Sequence, residues 1–448
     1  MPSSSDKFSQ DPGTLSSIVE QVLARAREKG ATGCEAEASE GYGSTVTVRR
    51  GDVETIEYNR DKGMSVSVYI GRKKGYASTS DFSAKAIADT TDAALSIARF
   101  TAEDEAAGLA DPELLCKDAP DLDLFHPWDL AVEDAVRMAK EAEAAAFRLD
   151  KRIINSEGAS VSAQQHQFAM GSSLGFRGAM RTSRHYLSCS VIAGEGDQMQ
   201  RDDWYSSQRA AADLASPESI GDYAGRRALA RLRSRKISTR QSPVLFEAPL
   251  ASGLIGQFVS AASGGNLYRK SSFLLDSLGQ QVFSPFVNIL ERPHVPRGQA
   301  SGYFDDDGVA TQDRDVIVDG VLQGYFLGTY SARKLGMRST GNAGGNHNLI
   351  VQPGDKDLVG LLKQMGTGLF VTELMGQGVN MVTGDYSRGA AGFWVEGGEI
   401  VHPVEEITIA GNLKDMLKSI VAIGNDVLSR GSRQCGSILV ERMTIAGN

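Results

Sequence analysis

The chain has 448 residues, 41% hydrophobic and 23% charged, enough to bury one large core or two moderate ones. Its formal net charge of −9 opposes a nucleic-acid binder, which needs Lys and Arg concentrated on one face, and favours small-molecule or protein partners. No stretch approaches the run of about 18 apolar residues that a membrane span requires, and MPSSSDKFSQDPG at the N-terminus lacks an apolar h-region; a cytoplasmic protein with a disordered tail over 1–13 is expected.

Leu15, Ile18, Val19, Val22, Leu23 and Ala26 fall at helical spacing before Gly30, which predicts an amphipathic first helix. From Cys34 to Ser80 the pattern alternates, with two runs around Gly51-Asp52 and two more around Gly71 to Gly75, which predicts a four-stranded antiparallel sheet. A helix over Ser83 to Phe100 would cover one face of it. The Asp-, Glu- and Pro-rich stretch from Glu103 to Trp128 reads as a connector. Asp129 reads as the N-cap of a helix striped by Val132, Val136, Ala139, Ala142, Ala146 and Leu149. Strands resume after Asn155 and end in a helical run, Ile220 to Leu232. The expectation is an N-terminal α+β domain over 14–236 in two similar halves, 14–115 and 129–236.

A glycine-rich, mostly β domain over 237–448 would follow. It opens on a short strand, Val244 to Phe246, feeding a buried helix with Pro249 as its first residue and Leu250, Leu254, Phe258 and Ala262 at intervals of four. That helix should stop at Ser263-Gly264-Gly265. Asp319-Gly320 and Gly397-Gly398 are two-residue hairpin signals, and helices are expected over Asp357 to Met365 and Asn412 to Ile423. The fold class is α+β throughout.

The chemistry is sparse. A zinc hydrolase needs imidazoles a few residues apart on one helix with a Glu to activate water, and the six histidines here are isolated. Gly171-Ser172-Ser173-Leu174-Gly175 matches G-x-S-x-G but is followed by strand, so it reads as a turn. Asp305-Asp306-Asp307-Gly308 lacks calcium-loop spacing and reads as a solvated acidic turn. The basic run Arg226 to Lys236 reads as a solvated helix face or as one with intramolecular acidic partners. Cys34, Cys116, Cys189 and Cys435 form no C-x-x-C pair, which favours reduced thiols. The loop Ser339 to Asn348, STGNAGGNHN, has the bare backbone groups of a cleft that holds extended peptide.

The ordered segments ASGLIGQFVSAASGGNLYRKSSFL, GVATQDRDVIVDGVLQGYFLGTYSARKLG, STGNAGG, GDYSRGAAGFWVEGGEI, AGNLKDMLKSIVAIGND and QCGSILVERMTIAG resemble the TldD/PmbA family, its PmbA (TldE) branch most. The resemblance implies a two-domain architecture and a TldD–TldE heterodimer acting as a zinc metallopeptidase on small unfolded proteins and in maturation of modified peptides. An older label for the family is modulator of DNA gyrase. In the catalytic TldD branch the helix after the short strand bears H-E-x-x-x-H, and a later cysteine completes the zinc ligands. Laid on this chain, that pattern falls on Ile255, Gly256 and Ser260, with Cys435 close to the cysteine position. None of the three can ligate zinc or act as a base, and one thiolate does not hold a catalytic zinc. The implied protein is a non-catalytic subunit with no cofactor of its own, serving a TldD-type partner that carries the zinc; a homodimer in isolation stays open. Peptide or unfolded-protein substrate would lie against Asn342, Gly344, Gly345, Asn346 and Arg388. Two other readings remain: a self-sufficient peptidase with dispersed ligands such as His347, His402 and Cys435, and a modulator of gyrase acting through Arg226 to Lys236.

Overall fold

The structure, a computed structural model, describes residues 7–196 and 198–447. The N-terminal elements are α1 (Pro12–Glu28), β1 (Gly33–Arg49), β2 (Asp52–Ile70), β3 (Lys73–Thr79), α2 (Ala84–Phe100), α3 (Val132–Leu149), β4 (Ile153–Ser172), β5 (Arg177–Glu195), β6 (Gln198–Gln208) and α4 (Pro217–Ala230). The strands form one antiparallel sheet in the order β3-β2-β1-β4-β5-β6, so β1 and β4 join the two halves directly. Ala36, Ala38, Val46 and Val48 alternate on one face of β1. The first pair packs under α1 and α2 and the second under α3 and α4, so all four helices cover the same face.

Three expectations change here. The expected four strands between 34 and 80 are three, because the run ending at Tyr58 and the run beginning at Gly63 are one strand: β2 continues through both, with Lys62 paired to Glu40 and Gly63 to Ser39. Helix α3 begins at Val132 after Ala131, and Asp129 instead forms an ion pair with Lys7 at 2.6 Å. Residues 1–6 of the expected tail lie outside the described residues, but residues 7–13 do not hang loose. Glu40, buried, accepts from Ser9 N and Oγ and from Gln10 N, and α1 starts at Pro12 behind an Asp11 cap.

The connector crosses to the C-terminal part, where Cys116 N donates to Gly308 O and Ala310 N to Leu114 O. That part comprises β7 (Arg240–Phe246), α5 (Ala248–Ala261), α6 (Gly264–Tyr268), β8 (Ile289–Glu291), β9 (Arg314–Val318), β10 (Val321–Leu322), α7 (Thr329–Lys334), β11 (Leu349–Val351), α8 (Leu358–Met365), β12 (Gly368–Met375), β13 (Asp385–Glu396), β14 (Glu399–Asn412), α9 (Leu413–Lys418), β15 (Ile420–Ile423), β16 (Arg433–Gln434) and β17 (Ile438–Ala446). One sheet runs β10-β9-β8-β11-β16. The other runs β14-β13-β12-β7-β17-β15, and a further β14–β17 pairing closes five of its strands into a ring. Phe246, Phe258, Phe283, Ile289 and Ile438 are fully buried in the core between these elements.

Both hairpin signals form turns with two left-handed residues: Asp319 (φ 49°) and Gly320 (φ 78°), then Gly397 (φ 59°) and Gly398 (φ 82°). The helix expected over Asn412 to Ile423 is cut to Leu413–Lys418, because Ile420–Ile423 pairs with β17 as a strand. Gly264 does not cap α5 but opens α6; a side chain there would meet Ser331 Oγ at 2.2 Å, so glycine serves close packing.

Candidate functional site

Strand β7 feeds α5, the helix that would carry a zinc motif, and Pro249 sits in its first turn. Ile255 is fully buried beside Phe258, while Gly256 is half-buried and Ser260, one turn on, is exposed. Helix α5 packs on β16, and Arg433 lies across Gly256: a Cβ there would stand 3.0 Å from Nη1 and 3.1 Å from Cζ. The place into which a Glu or His at 256 would project is thus taken by a guanidinium, whose charge repels a cation. Burial lowers the Arg433 pKa from its ordinary value, and its Nε is buried without a hydrogen-bond partner.

Cys435 follows two residues later and is buried. Its Sγ donates to Gly436 O at 3.1 Å, and burial, helped by Asp426, pushes the thiol far above its usual range. Both effects favour the neutral thiol over the thiolate that a metal binds. His347 Nε2 bonds Gly341 O at 2.9 Å, and His402 lies on β14 opposite Trp394 with Nδ1 on Pro403 O. Among the described residues, no three His, Cys, Asp or Glu side chains come together as a group that could hold a metal. His347, His402 and Cys435 are therefore not assembled.

The Ser339 to Asn348 loop ends beside this helix, since Leu349 of β11 pairs in parallel with Arg433 and its N–H bonds Ser432 O at 2.7 Å. Its members differ in what they leave free. Asn342 is 5% exposed; its amide donates to Glu291 Oε1 and Gly345 O and its oxygen accepts from Thr340 Oγ1, so it holds the loop together. Asn346 is half-buried, with Nδ2 donating to His347 O at 2.6 Å. Gly344 and Gly345 are exposed at φ 93° and 127°, and a Cβ on Gly344 would meet the Asp306 carboxylate at 2.5 Å. Arg388, on β13, contacts the Tyr386 hydroxyl and leaves Nε buried without a partner; it makes no hydrogen bond or ion pair with the loop.

Two carboxylates to which the sequence assigned no part in the loop fix it. Glu291, 1% exposed, pairs with Arg314 at 2.6 Å and accepts from His347 N and Asn342 Nδ2. Asp305 is 3% exposed, which corrects the solvated acidic turn: Oδ1 accepts from Asp307 N and Val309 N, and Oδ2 from Ala343 N. Burial, then the neighbouring Asp307, push its carboxyl up to about 7 against these three donors. The only sequence signal for this role was the turn-forming DDDG itself.

The Arg226 to Lys236 run faces acids. Arg227 bonds Asp202 at 2.9 Å and Glu247 at 2.5 Å, Arg231 pairs with Glu373, Arg233 with Glu195 at 2.5 Å, and Lys236 with Glu406 at 2.8 Å. Gly171 to Gly175 is the β4–β5 turn, with Gly175 N on Ser172 O.

Family models for the PmbA/TldA metallopeptidase match as domain 1 over residues 34–98, central domain over 125–232 and C-terminal domain over 239–447. The chain belongs to the PmbA/TldD family. Metalloprotease PmbA of Escherichia coli O157:H7 is 50% identical over 433 residues, covering 96% of both chains. The Metalloprotease PmbA homolog of Haemophilus influenzae is 50% identical over 407 residues, covering 91% of this chain and 90% of the homolog. Among solved structures, a candidate modulator of DNA gyrase from Bacteroides thetaiotaomicron superposes with TM-score 0.92 at 30% identity, over 97% of this chain and 99% of that one. TldE from Thermococcus kodakarensis shares the fold, with TM-score 0.84 at 18% identity over 96% and 100% of the chains.

Proposed function

We propose that this chain is the non-catalytic, PmbA/TldE-type subunit of a two-component zinc metallopeptidase, completing the chamber around the metal of a TldD-type partner and helping to hold extended peptide. The observation that carries this reading is the α5 face. The three positions at which the catalytic branch needs two imidazoles and a carboxylate hold a core isoleucine, a glycine covered by Arg433, and a serine. A buried neutral Cys435 does not replace them. Zinc belongs to the partner, and the four free thiols suit a reducing, cytoplasmic setting.

Substrate contacts fall to the exposed Gly344–Gly345 backbone, to Asn346 and to Arg388, while Asn342 maintains the loop's shape. Within that backbone Gly345 already spends its N–H and C=O on Asn342, so the Gly344 groups are those left for an extended chain of varied sequence, as unfolded proteins present. The gyrase-modulator reading is weaker, because the one strongly basic run is consumed by Asp202, Glu247, Glu373, Glu195 and Glu406.

The test is cleavage of an unfolded model protein by the TldD-type partner with and without this chain. Stimulation by the wild type, and clearly less by Arg388→Ala at equal complex formation, is the expected result. No complex and no stimulation would overturn the reading.

A further inference from the structure

The main chain of Arg433 belongs to β16, but its side chain has no part in the fold's own bonding. Neither a hydrogen bond nor an ion pair engages its guanidinium among the described residues, and Nε is buried without a partner. Carboxylates are not scarce, since the chain has 56 Asp and Glu against 47 Lys and Arg. Other arginines withdrawn from solvent have found partners: Arg314 binds Glu291, Arg227 binds Asp202 and Glu247, Arg292 binds Asp315 at 2.7 Å, and Arg209 donates to the carbonyls of Ser183, Gly298 and Gln299. Leaving a partly desolvated guanidinium unpaired is costly, which an incoming anion would reverse.

Its surroundings favour a peptide over a bulky anion. Gly256 removes the side chain that would lie between α5 and the guanidinium, and Ser252 and Ser260, one turn to either side, keep that helix face small and polar. On the other side, β16 is paired with β11, where the Gly344–Gly345 loop ends. We propose that Arg433 binds a carboxylate of an extended peptide passing between the loop and the small-residue face of α5, its planar fork taking both oxygens. The inference rests on the peptide-holding role proposed above and assigns the chemistry recognised: the chain's free C-terminal carboxylate or an acidic side chain near it.

Three fluorescein-labelled probes distinguish the sources: pentaalanine with a free C-terminus, its C-terminal amide, and the amide with Glu at the last position. Anisotropy with the purified chain should show at least one carboxylate-bearing probe binding tenfold or more tightly than the plain amide. Arg433→Gln should abolish that difference. Gly256→Asp, which places a carboxylate on the guanidinium from within the chain, should abolish it as well while leaving the melting temperature unchanged or raised; this second variant decides if Arg433→Gln misfolds. Equal binding of all three probes by the wild type, or a difference that survives both variants, would overturn the assignment. The subunit reading fails separately: if the isolated chain binds zinc and cleaves, that reading falls, while the probe discrimination is read without turnover.

Discussion

Asp305 shows how far one residue's surroundings depart from its sequence pattern. Three aspartates before a glycine look like a solvated turn, yet this carboxyl is buried and gathers three backbone N–H groups, one of them from Ala343 in the proposed substrate loop. Its folded pKa, about 7, lies above the unfolded value near 4. The native state then binds the proton more tightly, so this group's contribution to stability is complete below about pH 4 and is lost as pH rises toward 7. Glu35, Glu37 and Asp306 are raised by burial as well and act with the same sign. The stability advantage of wild type over Asp305→Asn should therefore be larger at pH 5 than at pH 8, read as the difference in melting temperature. A constant difference across that range would show that Asp305 does not titrate there.

Among the elements, helices α3 and α4 meet at small residues. A Cβ on Gly221 would lie 1.8 Å from Ala142 O, and one on Gly225 would lie 2.5 Å from a Leu149 methyl. Gly221→Ala should force the helices apart and destabilise by about 1–3 kcal/mol, measurable by denaturant titration, despite alanine's better helix propensity. Periodicity made these helices legible, because each buries a single stripe: Ile220, Ala224 and Ala228 on α4, and Ala135, Ala139, Ala142 and Ala146 on α3. It failed where pairing partners decide. The stretch between Tyr58 and Gly63 looks like a break, but β1 offers β2 a full-length partner, and Ile420–Ile423 reads as the end of a helical stripe until β17 claims it. The candidate site was half legible. The helix and the loop announced themselves through resemblance and glycine content; Arg433 did not, because only the folded chain brings a residue 177 positions away onto Gly256.

Across the whole molecule, the N-terminal sheet and the C-terminal part are joined at the start of α5. Arg227 of α4 spans Asp202 on β6 and Glu247, the residue preceding α5, and stands 5.0 Å over the Trp204 ring. Burial raises the Glu247 pKa against the pull of Arg227, so the carboxylate depends on that partner. Arg227→Met leaves two buried acids without it and should cost about 3–5 kcal/mol. Because these acids sit on both sides of the junction, the variant's calorimetric unfolding profile should be broader than the wild type's or split into more transitions; an unchanged profile would mean the junction is held elsewhere.

The proposed subunit role requires that α5 support no catalytic metal. The most direct measurement is zinc stoichiometry of the purified chain after incubation with zinc and removal of the excess, paired with cleavage of an unfolded protein by the same sample. Far less than one zinc per chain and no chelator-sensitive cleavage are the expected results. One tightly held zinc, with cleavage that a chelator abolishes, would contradict it and require ligands that α5 does not provide.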